Sequence, residues 1–359
     1  MTAGTRVLLL GGGKIGAMIA EMLAETGDFD LTVADRDPQA IERIARSGVS
    51  TRAVDIADPE ALARIMAGQW AVLSACPYTL TPVIAEAAKS AGAHYLDLTE
   101  DVESTRRVKA LAEDADTAFV PQCGLAPGFI SIAAYDLARR FDEIHNVHMR
   151  VGALPLYPSN RLKYNLTWST DGLINEYCNP CEAIVDGQLR EVMPLEGDED
   201  FALDGIGYEA FNTSGGLGTL CETLQGRVRN LDYKTVRYPG HREIIRLLIR
   251  DLRLGERRDI LKDVLETAVP MTLQDVVLIF VTVSGVRDGQ LRQESFAKKV
   301  YGRTIGGRDW SAIQITTAAG ICTMLDLLRA GTLPGHGFVR QEQATLEDFL
   351  ANRFGRHYA

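Results

Sequence analysis

No run of about 18 uninterrupted apolar residues occurs in this 359-residue chain, so a transmembrane helix is excluded. The longest clean apolar stretch, Val276–Val281, suits a buried strand. An excess of positive charge is also missing: 38 Lys and Arg against 48 Asp and Glu leave a formal charge of −10. That balance argues against nucleic-acid binding and attachment to an anionic membrane, and leaves a small molecule as the expected partner. The opening Met1-Thr2-Ala3-Gly4-Thr5-Arg6 leads straight into the strand-like Val7–Leu10 without a secretory pattern, so a cytoplasmic location is expected. Cysteine is sparse, with six residues in a chain long enough to bury a core without covalent staples. Cys178-Asn179-Pro180-Cys181 is accompanied by neither a second CxxC nor an HxxxH, so reduced structural thiols are expected and no metal is assigned. Repeats and low-complexity segments are absent as well.

What remains is an ordinary globular composition, 46% hydrophobic and 24% charged, in a chain too long for one typical core. Two domains are expected. Short apolar runs at Val7–Leu10, Leu31–Ala34, Thr51–Val54, Ala71–Ala75, His94–Leu98 and Ala118–Val120 alternate with helix-period stretches at Ile15–Glu25, Pro38–Arg46, Pro59–Met66, Thr81–Ser90 and Ser104–Asp114. This rhythm predicts an α/β fold with a doubly wound parallel sheet and right-handed crossovers.

After Gly124-Leu125-Ala126-Pro127-Gly128 the pattern changes to a helix near Phe129–Phe141, a strand at Val147–Leu154 and longer connections. Val276–Gly285 and Gln290–Tyr301 flank Arg287-Asp288-Gly289, a strong hairpin signal. A second, α+β domain with a mixed or antiparallel sheet is therefore expected over 126–311, serving substrate binding and homodimer or higher assembly. Residues 1–125 and 312–359 form the first domain, with a long helix at Ala312–Ala330 ended by Gly331 and another at Thr345–Arg353. His241–Leu254 and Asp259–Val269 also read as helices. The first places Ile244, Ile245, Leu248 and Leu252 on one face, with Arg242, Arg246, Arg250 and Arg253 expected to be solvated.

Gly11-Gly12-Gly13-Lys14-Ile15-Gly16 fits the G-x-G-x-x-G pattern between a strand and a helix with Ile15, Ile19 and Leu23 on one face. In a Rossmann domain Gly11 permits the tight turn, Gly13 lets a pyrophosphate approach, Gly16 lets the helix press on the strand, and the first helical amides face the phosphate. An acid ending the second strand would accept the ribose hydroxyls, and Asp35 lies 35 − 16 = 19 residues beyond the last glycine. NAD is thus expected over NADP, although the neighbouring Arg36 could hold a 2′-phosphate or stack on adenine. Asp55 is placed near adenine or as a helix cap. Ser74, Ala75 and Cys76 follow the fourth strand, where ribose and nicotinamide pass, and Cys123 is expected to line the same passage.

Cys76-Pro77-Tyr78, Tyr95-Leu96-Asp97-Leu98-Thr99-Glu100, Gly124-Leu125-Ala126-Pro127-Gly128 and Lys234-Thr235-Val236-Arg237-Tyr238-Pro239-Gly240-His241 together resemble the saccharopine dehydrogenase and lysine 6-dehydrogenase family across nearly the whole chain. The resemblance implies oxidation of a C–N bond in a lysine-derived substrate. Ala126 stands where glutamate-forming members carry Asp, and Val151-Gly152-Ala153-Leu154-Pro155 stands where they carry a cysteine-led motif, so lysine 6-dehydrogenase is the expected branch. Its reaction would take the side-chain amine of L-lysine to 2-aminoadipate 6-semialdehyde, which cyclises, and ammonia. A saccharopine or carboxynorspermidine-type dehydrogenase, or a silent NAD-binding redox sensor, stays open as an alternative.

Such chemistry needs a proton acceptor, for which Tyr78, Asp97 and Glu100 at adjacent strand ends are candidates, Asp97 equally as a backbone cap. A fixed cation for the amino-acid carboxylate is expected at Arg237, with Lys234 or His241 beside it. Tyr164, Trp168, Thr213 and Ser214 complete the candidate substrate residues as aromatic walls and hydroxyl donors, with Trp168 equally suited to a core position.

Overall fold

Val7, Leu8, Leu9 and Leu10 are all fully buried, which a strand achieves only when both faces of its sheet are covered. The structure, a computed structural model, describes residues 4–45 and 49–359. Strand β1 (Thr5–Leu10) leads through the glycine turn into α1 (Lys14–Ala24), followed by β2 (Phe29–Asp35), α2 (Pro38–Ala45), β3 (Ser50–Ala53), α3 (Pro59–Met66), β4 (Ala71–Ser74), α4 (Thr81–Ser90), β5 (His94–Asp97), α5 (Val102–Ala112) and β6 (Ala118–Val120). The expected end of the second helix, Arg46, lies outside the described residues. Helix α5 starts two residues before the expected Ser104 because the Asp101 carboxylate accepts from Ser104 N at 2.8 Å and caps the first turn. Asp58, followed by Pro59, does the same for α3.

A helix α6 (Phe129–Ala138) opens the second unit. Then come β7 (Glu143–Pro155), α7 (Thr170–Cys178), β8 (Cys181–Val185), β9 (Gln188–Val192), β10 (Glu199–Leu203), β11 (Ile206–Asn212), α8 (Leu220–Leu224), β12 (Val228–Arg237), α9 (His241–Arg246) and α10 (Arg258–Ala268). The hairpin of β13 (Asp275–Arg287) and β14 (Gln290–Tyr301) turns at Asp288 and Gly289, with φ of 53° and 71°. Two successive positive φ angles twist the turn in the sense that long antiparallel strands need. This sheet runs β10-β11-β12-β7-β13-β14, parallel only between β12 and β7, so it is mixed. One apolar cluster gathers Tyr164, Leu173, Tyr177, Phe211, Ile245 and Leu261; another gathers Leu154, Tyr208, Val236 and Leu278.

The helix expected over His241–Leu254 stops at Arg246 and continues as a π-helical turn over Leu247–Asp251. The extra residue in that turn shifts the helical face, so Ile249 and Leu254 join the core while Leu252 is left exposed. The arginines Arg242, Arg246, Arg250 and Arg253 pair with Asp198, Glu243, Glu196 and Glu256.

After β15 (Arg303–Ile305) and β16 (Arg308–Trp310), the long helix α11 (Ala312–Arg329) is followed by β17 (Gly337–Phe338) and α12 (Leu346–Ala351). Strand β17, too short to show as an apolar run, pairs in parallel with β6. It completes a seven-stranded sheet among the described residues, ordered β17-β6-β5-β4-β1-β2-β3. The chain divides into two compact units: one runs to Gly128 and also takes Ile305–Arg308 and Gln314–Ala359, and the other holds Phe129–Thr304 and Asp309–Ile313. Among the described residues no helix is long and apolar enough to cross a membrane.

Candidate functional site

In the first unit the strand order reverses between β1 and β4, the switch point at which open parallel sheets bind ligands. Gly11, at φ 97°, makes the turn there, and a Cβ on it would lie 2.8 Å from the Ala75 carbonyl oxygen. A Cβ at Gly16 would collide with the Gly11 carbonyl, whereas one at Gly13 would meet nothing within 4 Å. The last glycine thus lets α1 press on the turn that ends β1, the first lies against the segment after β4, and the middle one leaves open space at the helix N-terminus beside exposed Lys14 and half-buried Ile15. Gln314 holds the Lys14 carbonyl from α11 at 3.1 Å.

Asp35, at the end of β2, reaches back to this turn: Oδ2 accepts from Gly12 N at 2.6 Å and Oδ1 from Asp37 N at 2.8 Å. Open room at Gly13, the N-terminus of α1 and a carboxylate fixed one strand away fit a nicotinamide dinucleotide. Arg36 is exposed beside them. Asp55 accepts from Ala57 N at 3.0 Å in a tight turn, and the capping role weighed for it belongs to Asp58.

Ser74 is buried at the end of β4, and Ala75 N continues the ladder by donating to Leu10 O at 2.8 Å. Burial and the charge of Asp35 push the Cys76 thiol up to about 12. Cys123 is likewise held as a thiol by burial, its Sγ donating to Val120 O and accepting from Gln341 Nε2 at 3.3 Å. Neither is an activated thiolate. The six cysteines are unpaired, and among the described residues no group of three or more His, Cys, Asp or Glu could hold a metal ion.

Of the three proton-handling candidates, Asp97 is wholly enclosed. Its carboxylate accepts from Tyr95 OH at 2.9 Å, Thr99 N at 3.0 Å and Gln122 N at 2.8 Å, which ties the end of β5 to the segment after β6. Burial pushes it up to about 6 against those hydrogen bonds. Tyr78 opens a short 3₁₀ turn after β4, half-buried, and its carbonyl accepts from Ser104 Oγ at 3.3 Å. Glu100 is half-buried just before the α5 cap.

In the second unit Arg237 is the one Lys or Arg that is fully buried among the described residues, and the charge of the buried Glu176 acts on it. Its Nε donates to Tyr177 OH at 3.0 Å and Nη1 to Val236 O at 2.9 Å. The guanidinium carbon lies 4.8 Å from the Tyr164 ring centroid and 5.9 Å from that of Tyr177. Trp168 Nε1 donates to Tyr164 OH at 3.2 Å, fixing that ring. His241 reaches the same cluster because Gly240, at φ 95°, turns the chain from β12 into α9, whose first amides are held by the Glu209 carboxylate.

Lys234 is not beside Arg237. Three residues apart on one strand, the two side chains point to opposite faces, and Lys234 Nζ shares Glu199 with Arg150 on the other side of the sheet. Thr213 is buried, and its hydroxyl has no hydrogen-bond partner among the described residues, while Ser214 Oγ donates to Pro180 O at 2.8 Å. Tyr177 and Glu209 were not singled out by the sequence reading. Each belongs to no motif and acquires its role only when α7 and β11 are brought against the end of β12.

This sheet order and glycine turn define a Rossmann-type α/β protein with a second, mixed-sheet unit. Family models described as the saccharopine dehydrogenase NADP binding domain and the saccharopine dehydrogenase C-terminal domain match residues 7–120 and 124–356, so the chain belongs to the saccharopine dehydrogenase family. Saccharopine dehydrogenase [NADP(+), L-glutamate-forming] of Saccharomyces cerevisiae is 26% identical over 199 residues, covering 53% of this chain and 44% of that protein. Mitochondrial alpha-aminoadipic semialdehyde synthase of Bos taurus is 22% identical over 321 residues, covering 83% of this chain and 34% of that protein. The matches thus span less than half the length of these relatives. A solved apo structure of the L-Glu-forming saccharopine dehydrogenase from Saccharomyces cerevisiae shares the fold, with TM-score 0.78 at 18% identity over 96% of this chain and 95% of that one.

Proposed function

We propose that this protein is a nicotinamide-dependent oxidoreductase acting on a C–N bond of a lysine-derived amino acid, and specifically an NAD-dependent L-lysine 6-dehydrogenase. The observation that carries this reading is Arg237, a buried guanidinium whose hydrogen bonds among the described residues go to a phenol and a main-chain carbonyl and leave Nη2 without one. Such an edge suits a planar carboxylate, and one arginine matches one amino-acid carboxylate. Saccharopine, with two amino-acid ends, would ask for a second clamp. Ala126 in the Gly124–Gly128 loop supports the same branch.

A bound nicotinamide would supply the hydride acceptor for oxidation of the carbon bearing the side-chain nitrogen, and hydrolysis of the imine by water would give aldehyde and ammonia. In this reading the open space at Gly13 receives the pyrophosphate and the Asp35 carboxylate accepts the ribose hydroxyls. A 2′-phosphate would face that negative charge, which is why NAD is favoured. Arg237 anchors the amino-acid carboxylate against the Tyr164 face, and the buried Thr213 hydroxyl offers a further hydrogen bond. Tyr78 and Glu100 are proposed to move the amine proton, with Asp97 as the clamp that shapes the β5 end beside them. We also propose a homo-oligomer in the cytoplasm, with the β13–β14 hairpin as its contact.

NADP-dependent saccharopine oxidation is the second reading, supported by the names of the relatives and the description of the matching domain. Reduction of NAD+ and of NADP+ by the purified chain, measured with L-lysine and with saccharopine, separates the two. Turnover of lysine with NAD+ is expected. Ready turnover of saccharopine with none of lysine would reverse the substrate assignment, and cofactor binding without turnover of any amine would point to a redox sensor. Asp35→Ala should raise the Kd for NAD+ about tenfold or more with the fold intact, corresponding to the loss of charge-assisted hydrogen bonds. An unchanged Kd would contradict the ribose assignment.

A further inference from the structure

We infer that Tyr177 and His241 are positioning residues for Arg237: they form an electrically neutral relay of one-way hydrogen bonds that fixes the guanidinium plane and keeps its Nη2 edge available to a carboxylate. The inference rests on Arg237 being the carboxylate anchor, and it concerns two residues that need not touch the substrate.

The direction of every bond in the chain is forced from its ends. At one end, the Leu162 carbonyl can only accept, so the His241 Nδ1 facing it at 2.8 Å carries a proton. At the other, Arg237 Nε can only donate, so the Tyr177 oxygen 3.0 Å away accepts. The Tyr177 hydroxyl proton then goes to His241 Nε2, also 3.0 Å away, provided the imidazole is neutral. A protonated imidazole would break this order by setting two donors from two cations on one phenol oxygen.

The surroundings keep it neutral. His241 is 1% exposed; burial, then the charge of Arg237, push it down to about 3, only partly opposed by the bond to Leu162. Tyr177 is held as a phenol by burial. The groups facing the imidazole are Tyr164, Tyr177 and Phe211, with ring centroids at 5.4, 5.9 and 6.4 Å, together with Arg237. Glu176 acts on Arg237 and Tyr177 through its charge.

The consequence for Arg237 is geometric. Nε is taken by Tyr177, Nη1 by the Val236 carbonyl, and the flat face by the Tyr164 ring. Those three constraints leave the guanidinium no freedom to rotate. Nη2 makes no hydrogen bond among the described residues and is the donor left for an anion. Preorganisation of this kind lowers the cost of binding rather than adding a contact, so its loss shows in KM for the carboxylate-bearing substrate and not in cofactor affinity.

The first test needs no substrate. In the ¹⁵N-labelled full-length chain, long-range ¹H–¹⁵N correlation spectra should show His241 as the Nδ1–H tautomer, unchanged from pH 8 to pH 5. An Nε2–H tautomer, or a titration in the ordinary histidine range, would overturn the relay whatever the enzyme's activity. The second uses whichever of L-lysine and saccharopine the wild-type chain oxidises faster. Tyr177→Phe should raise its KM about tenfold, the cost of one charge-assisted hydrogen bond, with KM for the cofactor unchanged and kcat altered less than about twofold. His241→Leu should move KM in the same direction. His241→Gln, whose side-chain carbonyl can take the Tyr177 proton, should restore most of it.

Arg237→Ala is the control that separates the two ideas. If it leaves substrate KM at the wild-type value, the carboxylate-anchor reading fails. If it raises KM while Tyr177→Phe and His241→Leu do not, the anchor stands and the relay fails. Should Tyr177→Phe not fold, the histidine pair and the tautomer measurement decide the matter.

Discussion

A carboxylic acid taken out of water holds its proton longer, and Asp97 shows this even while accepting three hydrogen bonds. Asp275 is its counterpart in the second unit: it accepts from the amides of Ala312 and Ile313 at the start of α11, and burial pushes it, too, up to about 6. At both groups the folded chain binds a proton more tightly than the unfolded chain does. Their contribution to stability is therefore fully present below the unfolded carboxylate range near pH 4 and falls as pH rises to about 6, after which it is constant. A shift of about two pH units corresponds to at most about 3 kcal/mol per group. Urea denaturation of wild type and Asp97→Asn between pH 4 and 7 checks this. The variant should lose about 1–3 kcal/mol near neutrality, because its amide NH₂ would stand where Oδ2 accepts from Tyr95 OH, and its stability should decline less steeply over pH 4–6. An undiminished slope would remove Asp97 as the titrating group. Asp28 and Glu199 act oppositely, since arginine partners lower them, Arg353 for Asp28 and Arg150, against burial, for Glu199; their contributions are lost only as acid protonates them.

Elements whose formation depends on local pattern were readable from the chain. Strands β1 to β6 and the helices Pro59–Met66 and Thr81–Ser90 lie where alternation of apolar runs and helical periods places them. So does the β13–β14 hairpin, and there Gly289 at φ 71° is the residue the turn depends on. Gly289→Ala should destabilise the second unit by about 1 kcal/mol, read as a lower thermal midpoint, with NAD+ affinity unchanged. An unaltered midpoint would mean the turn tolerates a Cβ in the left-handed region.

Elements set by tertiary contact were not readable in the same way. The π-helical turn after Arg246 answers to where Ile249 and Leu254 find core, and β17 exists only because β6 offers an open edge. The candidate site divides similarly. The glycine turn and Asp35 depend on short spacing and were legible, as was Arg237 within its tyrosine-rich stretch. Lys234 was placed with Arg237 because neighbours in sequence look like neighbours in space, and strand pleating sends them apart. Tyr177 was invisible because its partners come from three other segments.

For the molecule as a whole, binding at the glycine turn should appear as stability by mass action. Saturation with NAD+ at about 100 times its Kd adds about 2.7 kcal/mol to the state that binds it. Scanning calorimetry with NAD+ and with NADP+ at matched concentrations should therefore show a larger rise in midpoint with NAD+. Equal rises would mean that Asp35 does not discriminate between the two. Gly16→Ala, which drives a methyl group into the Gly11 carbonyl, should abolish both effects.

The late strand β17 has a further consequence, one of timing during synthesis. Its partner β6 ends at Val120, and the whole second unit is translated before Gly337 leaves the ribosome. Until then β6 is an unprotected edge, of the kind to which foreign strands add. The unit begun first is thus finished last, so a chain stalled within the second unit would present a nearly complete Rossmann sheet as a sticky, chaperone-dependent intermediate.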